Sequence, residues 1–367
     1  MRHRQRDRIA VSVNGEGRGH LTRMTALARR LEGRYSLAFW CPDAIRESLA
    51  RAFPGVPVRA VPFLRIVMRG ASLDLPGTAA ANLPTLASAG NAVSALAAEL
   101  EEIGPVGVLS DFEPFLPEAA ARLGLPVLQL NHPGIVTRLG GADPEALVAK
   151  IVAARMMGRF DRLLLSSFYG GDIGPILRPE ILAAAKDRRR EDFVLVYARE
   201  GFEERFRDLA RACPSRKFRF FPDPRGDYPS ALASCRAIVA PAGHQTLSEA
   251  LCLGVRVFAV PIAGQYEQRL NAEMLGRSGR GAWAPAEAFE EPLLRFLSEL
   301  DGYPRRAEPG LAFRLGDDGE RAARLVSEFF RSEAQRQGAR PRDKAYARVT
   351  SFVGRLVPAG PPAWVTG

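Results

Sequence analysis

The sequence predicts an α/β protein of doubly wound, mostly parallel sheets, and three observations carry that prediction. Short apolar, β-branched runs alternate with stretches whose apolar residues recur at helical spacing. Polar and glycine-rich residues follow several of the strand-like runs directly, at the strand ends where such sheets bind ligands. The chain has 367 residues, long enough for two cores.

In the first half, Ile9 to Val13 reads as a parallel strand, and the loop Asn14 to His20 follows it. Leu21 to Leu31 is a helix, Ser36 to Trp40 a strand, Pro42 to Ala52 a helix and Val56 to Val61 a strand. Phe63 to Gly77 is irregular, and Leu83 to Ile103 is one long helix rich in Ala, Ser and Leu. Val106 to Leu109 is a strand ending at Ser110-Asp111-Phe112-Glu113-Pro114, Pro117 to Leu123 is helical, and Pro126 to Leu130 is a strand ending at Asn131-His132-Pro133. The residues after these strands are expected to face one crevice.

A second α/β unit begins near Leu163, with strands at Arg162 to Leu165, Phe193 to Tyr197, Phe218 to Phe221, Ala237 to Ala240 and Val255 to Val260. Its helices fall near Glu203 to Arg211, Pro229 to Ser234, Thr246 to Leu253 and Glu267 to Leu275. The expected domains are residues 1–160 and 161–330, divided where Gly, Pro and charge runs accumulate. Residues 331–367 form a basic, Pro/Gly-punctuated tail, which either crosses back to the first domain or stays apart from it.

Hydrophobic residues make up 47% of the chain and charged residues 25%, a composition that suits a water-soluble globular protein. The basic N-terminus has only a short apolar run and is not a signal peptide, and no apolar stretch is long enough to span a bilayer, so a cytoplasmic protein is expected. The cysteines Cys41, Cys213, Cys235 and Cys252 form no CxxC pair and read as apolar fillers. The net charge of +10 comes from scattered Arg without interleaved aromatics, which argues against nucleic acid. Peripheral contact with an anionic membrane, or simply a solvated Arg-rich surface, accounts for the charge.

Two stretches carry chemistry. The first, Gly15-Glu16-Gly17-Arg18-Gly19-His20, lies between a strand and a helix, and its glycines allow close backbone approach to a ligand. It is neither the dinucleotide fingerprint nor a P-loop, because the third Gly arrives one residue early and no Gly-Lys-Ser/Thr follows. Arg23 stands three residues beyond His20. The second stretch, Pro241 to Leu275, opens on a small turn and offers Gly243, His244, Gln245 and Thr246 at a helix N-terminus, where unpaired N–H groups and the dipole suit a phosphate. Glu249 follows on that helix, and Gln265, Glu267, Gln268 and Asn271 cluster after the next strand.

This order resembles the C-terminal half-site of GT-B glycosyltransferases. It is most similar to the family 28-like branch containing the N-acetylglucosaminyltransferase of lipid II synthesis, whose N-terminal GxGGH-type loop the first stretch also resembles. The resemblance implies two Rossmann-like, doubly wound domains facing a central cleft. The N-terminal domain would bind an acceptor hydroxyl and the C-terminal domain a nucleotide-sugar donor, most readily UDP-linked. It implies Gly243, His244, Gln245 and Thr246 at the diphosphate, Glu249 on the ribose, Glu267 with Gln268 on the donor sugar, and Gly17 and Gly19 beside the phosphates. His20 is then the candidate general base, its alternative being a helix cap. Asp111 orients His20, is itself the base, or merely starts the following helix. His132 lines the acceptor side or closes a turn; His244 touches the diphosphate or caps its helix; Arg199 reaches the base or phosphates or is solvated.

Retaining GT-B enzymes carry Glu-x7-Glu, but here Pro241 stands eight residues before Glu249, which favours inversion. There is no Asp-x-Asp metal motif, so no metal and no cofactor are expected. The rival readings are a nucleotide-sugar hydrolase or 2-epimerase, the latter needing carboxylates such as Asp111, Glu113 and Glu267, or a non-catalytic nucleotide-sugar-binding protein.

Overall fold

The computed structural model describes residues 6–338 apart from 71, 187 and 199–201. The chain opens with β1 (Arg8–Val13), α1 (Gly17–Leu31), β2 (Ser36–Cys41), α2 (Asp43–Ala52) and β3 (Val58–Ala60). A short hairpin, β4 (Met68–Arg69) and β5 (Ser72–Leu73), leads into α3 (Leu75–Ala87) and α4 (Ala89–Ile103). Next come β6 (Val108–Asp111), α5 (Phe115–Arg122), β7 (Val127–Asn131), α6 (Ile135–Leu139), α7 (Pro144–Met156) and β8 (Arg162–Leu165). The second run holds α8 (Pro179–Lys186), β9 (Phe193–Tyr197), α9 (Glu203–Ala212), β10 (Lys217–Phe221), α10 (Tyr228–Ser234) and β11 (Ala237–Ala240). It continues through α11 (His244–Cys252), β12 (Arg256–Ala259), α12 (Tyr266–Arg277), β13 (Gly281–Trp283), α13 (Glu290–Ser298) and α14 (Gly319–Gly338).

Besides the β4-β5 hairpin, the described residues form two large sheets, both parallel throughout: β3-β2-β1-β6-β7-β8 and β10-β9-β11-β12-β13. In each, the winding direction reverses beside the first strand, between β1 and β6 and between β9 and β11. Such switch points leave a crevice at the carboxyl ends. Period-2 alternation sets the layers. Ile9 and Val11 pack on the face covered by α1 and α14, with Leu27, Val326 and Phe330. Ala10 points the other way, to the layer of Leu96 and Leu116 from α4 and α5.

Several elements differ from the sequence expectation. The helix expected from Leu21 starts at Gly17, whose φ of +66° makes the entry turn. The expected helix from Leu83 to Ile103 is two helices broken at Ser88, where the hydroxyl bonds back to the carbonyls of Pro84 (3.1 Å) and Thr85 (3.3 Å). Arg162 to Leu165 is a strand as expected, but it pairs with β7 in the first sheet, not with the second unit. The return crossing is made by α14, which begins at Gly319, ahead of the expected tail, and packs against α1. Residues 339–367 lie outside the described part.

Candidate active site

The loop after β1 and the end of β6 are neighbours because β1 pairs with β6, Val13 opposite Asp111. Asn14 N–H donates to the Asp111 carbonyl at 3.1 Å, which fixes the two strand ends together. His20 lies in the first turn of α1, and its Nδ1 is 2.9 Å from Asp111 Oδ1. Arg23 follows one turn later on the same helix face and donates from Nη2 to both Asp111 oxygens, at 2.7 and 2.8 Å. Asp111 is fully buried, Arg23 is buried, and the His20 side chain is 12% exposed, so the imidazole is the member of the cluster that meets solvent. Burial pushes the Asp111 carboxyl up, but Arg23 and His20 together outweigh it and hold the group below its usual value. A carboxylate at Nδ1 favours the Nδ1–H tautomer with Nε2 bare, whereas Arg23 Nη2, a donor 3.1 Å from the same nitrogen, favours the opposite one.

Phe112, next in the chain, has φ +58°, unusual for a bulky residue. Both ends of its backbone are pinned: Gln129 Oε1 accepts its N–H at 3.2 Å, and its carbonyl accepts from Asn14 Nδ2 at 2.7 Å. The strained turn lays the Phe112 ring parallel to His20, with centroids 6.0 Å apart. Glu113 faces inward, accepting the N–H groups of Phe115 (2.6 Å) and Leu116 (3.0 Å) at the start of α5. Burial raises its carboxyl to about 7 against those bonds. It caps a helix and is 2% exposed, so it does not supply the sugar-facing carboxylate an epimerase would need.

Across the junction, α11 opens at His244 with Gly243 before it. The carboxyl-end loops of the two halves meet here: a Cβ at Gly19 would lie 3.5 Å from Gln245 Cβ. At Gly243 an added Cβ would meet nothing within 4 Å and φ is −67°, so the fold itself does not demand glycine there. Glu249 is buried and doubly paired with Arg178, Nε to Oε1 at 2.8 Å and Nη2 to Oε2 at 2.7 Å, while Gln245 Nε2 donates to Oε1 at 3.0 Å. Thr246 is half-buried in the same first turn.

His132 and His244 are brought together from opposite halves, stacked with centroids 3.6 Å apart. His132 is 1% exposed, with Nδ1 at 3.2 Å from the Ser166 carbonyl and Nε2 at 2.9 Å from Asn271 Oδ1. It is therefore packed in the junction between the halves rather than facing open acceptor space. Asn271 also receives the Tyr169 hydroxyl (2.6 Å) and donates to the Ala242 carbonyl and Glu267 Oε1 (both 3.0 Å). Burial lowers His132 to about 4, although Glu267, 3.4 Å away, pulls it up. Glu267 keeps a partly exposed carboxylate, whereas Gln268 braces the loop after β12, accepting from Ile262 N–H (3.1 Å) and donating to Gln265 (2.7 Å). Arg199 lies outside the described residues. Among the described residues, no group of three or more His, Cys, Asp or Glu could hold a metal ion, and no helix is long and apolar enough to cross a membrane.

Three side chains that contact the candidate site residues, Arg23, Arg178 and Asn271, were given no role from the sequence. Arg23 was legible as an i+3 neighbour of His20. Asn271 was visible only as one of a polar cluster, and nothing local marked Arg178.

Two parallel, doubly wound halves with their carboxyl-end loops in contact define the GT-B glycosyltransferase fold. The family model described as glycosyl transferase family 1 matches residues 7–225 and 207–301, and the chain belongs to that family. It is 26% identical to an uncharacterized glycosyltransferase of Methanopyrus kandleri over 325 residues, covering 77% of this chain and 92% of that one. An uncharacterized glycosyltransferase of Methanosarcina acetivorans is 23% identical over 344 residues, covering 80% and 89%. Among solved structures, the glycotransferase of kitacinnamycin superposes with a TM-score of 0.59 at 18% identity, over 88% of this chain and 99% of that one. LpCGTa in complex with UDP gives 0.57 at 18% identity over 90% and 95%. MurG of Acinetobacter baumannii gives 0.56 at 13% identity over 88% and 99%.

Proposed function

We propose that this protein is an inverting glycosyltransferase that moves a sugar from a nucleoside-diphosphate sugar, UDP-linked, to an acceptor hydroxyl. The observation that carries the reading is the His20–Asp111 pair, at 2.9 Å, set opposite the open N-terminus of α11. His20 Nε2 takes the acceptor proton as its oxygen attacks the anomeric carbon, and Asp111 offsets the charge that develops on the ring. The bond from the anomeric carbon to the diphosphate oxygen breaks, and the leaving charge settles on N–H groups at the α11 N-terminus. Gly17 and Gly19 leave room for the phosphates on the facing loop. Glu267 accepts a donor-sugar hydroxyl. Pro241, where a retaining enzyme of this fold would carry glutamate, supports inversion, and the UDP complex of a protein of the same fold supports the uridine base.

Glu249 takes the ribose diol once Arg178 turns aside, and a cavity of about 250 Å³ lined by Thr22, Thr25, Arg29 and Arg178 gives that side chain somewhere to go. We place the N-terminal domain at residues up to β8 together with α14, and the nucleotide-sugar domain between them. Ile66, Met68, Leu75 and Leu83 are exposed on the β4–β5 hairpin and α3, which suits an acceptor with an apolar part. On α7, exposed Leu147, Val148, Ile151 and Val152, with Lys150 and Arg155 on the same helix, suit peripheral contact with an anionic membrane.

The test compares His20→Ala with wild type for nucleotide binding and for sugar transfer across an acceptor panel. Turnover should fall by about 10²–10⁴-fold with nucleotide affinity unchanged. Unchanged turnover would remove His20 from the reaction, and free sugar formed without acceptor would favour a hydrolase.

A further inference from the structure

Ser12, Ser110 and Gln129 stand side by side on the adjacent strands β1, β6 and β7, and all three are fully buried. Two residues earlier on the same strands, and so on the same face, the row is Ala10, Val108 and Val127. A parallel sheet covered on both faces takes apolar residues at such positions. A polar row in its middle costs desolvation unless each group finds a partner.

Here the partners converge on one turn. Ser12 Oγ donates to Ser110 Oγ at 2.9 Å, and Ser110 Oγ donates to the Glu113 carbonyl at 3.0 Å. Gln129 Nε2 donates to Ser110 Oγ at 3.1 Å and to the Met157 carbonyl. Gln129 Oε1 accepts from Asn131 Nδ2 at 3.1 Å and from the Phe112 N–H at 3.2 Å. Both donor and both acceptor positions of the Gln129 amide are thereby used. Together Ser110 and Gln129 grip the backbone on either side of the Phe112 side chain.

Phe112 is the only non-glycine residue at positive φ among the described residues. A bulky residue keeps that conformation only where its surroundings over-determine it. The same turn brings two groups to His20. One is the Asp111 carboxylate, with Oδ1 at 2.9 Å from Nδ1, and the other is the Phe112 ring, stacked with 10° between the planes. Gln129 is buried away from the cleft, so what it reaches is the turn and not a substrate.

We propose that Gln129, seconded by Ser110, is a positioning residue for His20. It holds the left-handed Phe112 turn, and the turn holds the carboxylate and the ring that orient the imidazole. The inference rests on the proposed reading of His20 as the general base. Without these bonds Phe112 relaxes to negative φ, its ring leaves His20 and the Asp111 carboxylate turns with it. Misplacing a reacting group by about 1 Å can cost about 100-fold in rate.

The experiment takes Gln129→Leu and Ser110→Ala, each in the wild-type and in the His20→Ala background. Ser110→Ala removes one oxygen and carries the test if Gln129→Leu does not fold. Kinetics follow UDP release from a UDP-sugar with whichever acceptor of the panel turns over fastest, and crystal structures of the variants supply a readout that needs no acceptor. Gln129→Leu should lower kcat by about 10- to 100-fold and Ser110→Ala by about three- to tenfold, with both KM values and UDP affinity unchanged. Phe112 should sit at negative φ in Gln129→Leu. In His20→Ala neither substitution should lower the residual turnover further, because both act through His20. Equal losses in the two backgrounds, or a variant structure with Phe112 still at positive φ and stacked on His20, would overturn the inference and leave His20 as the base. Full turnover in His20→Ala would overturn the base reading and this inference with it.

Discussion

Lowering the pH from 7 to 5 should cost this fold about 2 kcal/mol through His132 alone. The perturbation acts on a ring that is 1% exposed, stacked on His244 and faced by Glu267, Asn271, Tyr169 and the Ser166 carbonyl, with Arg23 nearby. Burial dominates, lowering its pKa from 6.5 to about 4, while Glu267 and the hydrogen bonds only partly offset this. For a base lowered by folding, the unfolded chain binds more protons between the two values. Stability is therefore full above the unfolded value, falls as the pH drops, and has lost the whole contribution below the folded value. Integrated over the full window the loss is about 3 kcal/mol, of which about 2 kcal/mol falls between pH 7 and pH 5. His244, also lowered by burial, acts in the same direction. The assay is urea unfolding at pH 7, 6 and 5 for wild type and His132→Gln, comparing slopes against pH rather than absolute stabilities. The variant should lose about 2 kcal/mol less than wild type over that interval, and Glu267→Gln, which removes the opposing carboxylate, should extend the His132 loss further below pH 5. Parallel wild-type and His132→Gln profiles would refute the reasoning, because they would mean that folding leaves the proton affinity of His132 unchanged, with Glu267 and the hydrogen bonds offsetting burial in full.

Three further outcomes follow from the geometry. Arg23→Met strands the fully buried Asp111 without its bidentate partner and should destabilise the protein by about 3–5 kcal/mol near neutral pH, while Arg23→Lys, keeping the charge, should lose less; urea unfolding reads both. Glu249→Gln keeps the shape but weakens the Arg178 pair, which is partly exposed, so the stability loss should be about 1 kcal/mol. Its affinities for UDP and uridine should fall together, by about tenfold, because the proposed contact is to ribose; calorimetry separates this from a phosphate effect. Ile151→Glu on the exposed face of α7 should reduce cosedimentation with vesicles containing anionic lipid, and salt should reduce wild-type binding too. Unchanged binding would remove α7 as a membrane contact.

Much of this protein was legible along the chain because much of it is local. The strand Ile9 to Val13, the glycine-rich turn after it, the strands at 193–197 and 237–240 and the helix carrying Glu249 are set by side-chain period, β-branching and turn chemistry within a dozen residues. That is enough to place His20, Asp111 and the α11 N-terminus after strands of a wound sheet. What the sequence could not decide depends on which surfaces meet. Arg162 to Leu165 has the same apolar character in either sheet, and only pairing with β7 assigns it to the first. Arg178 and Glu249 are 71 residues apart, so their pair exists only once the linker lies against α11. His132 and His244 look like separate turn and cap residues until the two halves close and stack them, and that closure takes both rings out of water. Local periodicity fixes where a side chain sits on its own element; burial, pairing and protonation state are properties of the neighbours that the tertiary structure brings to it.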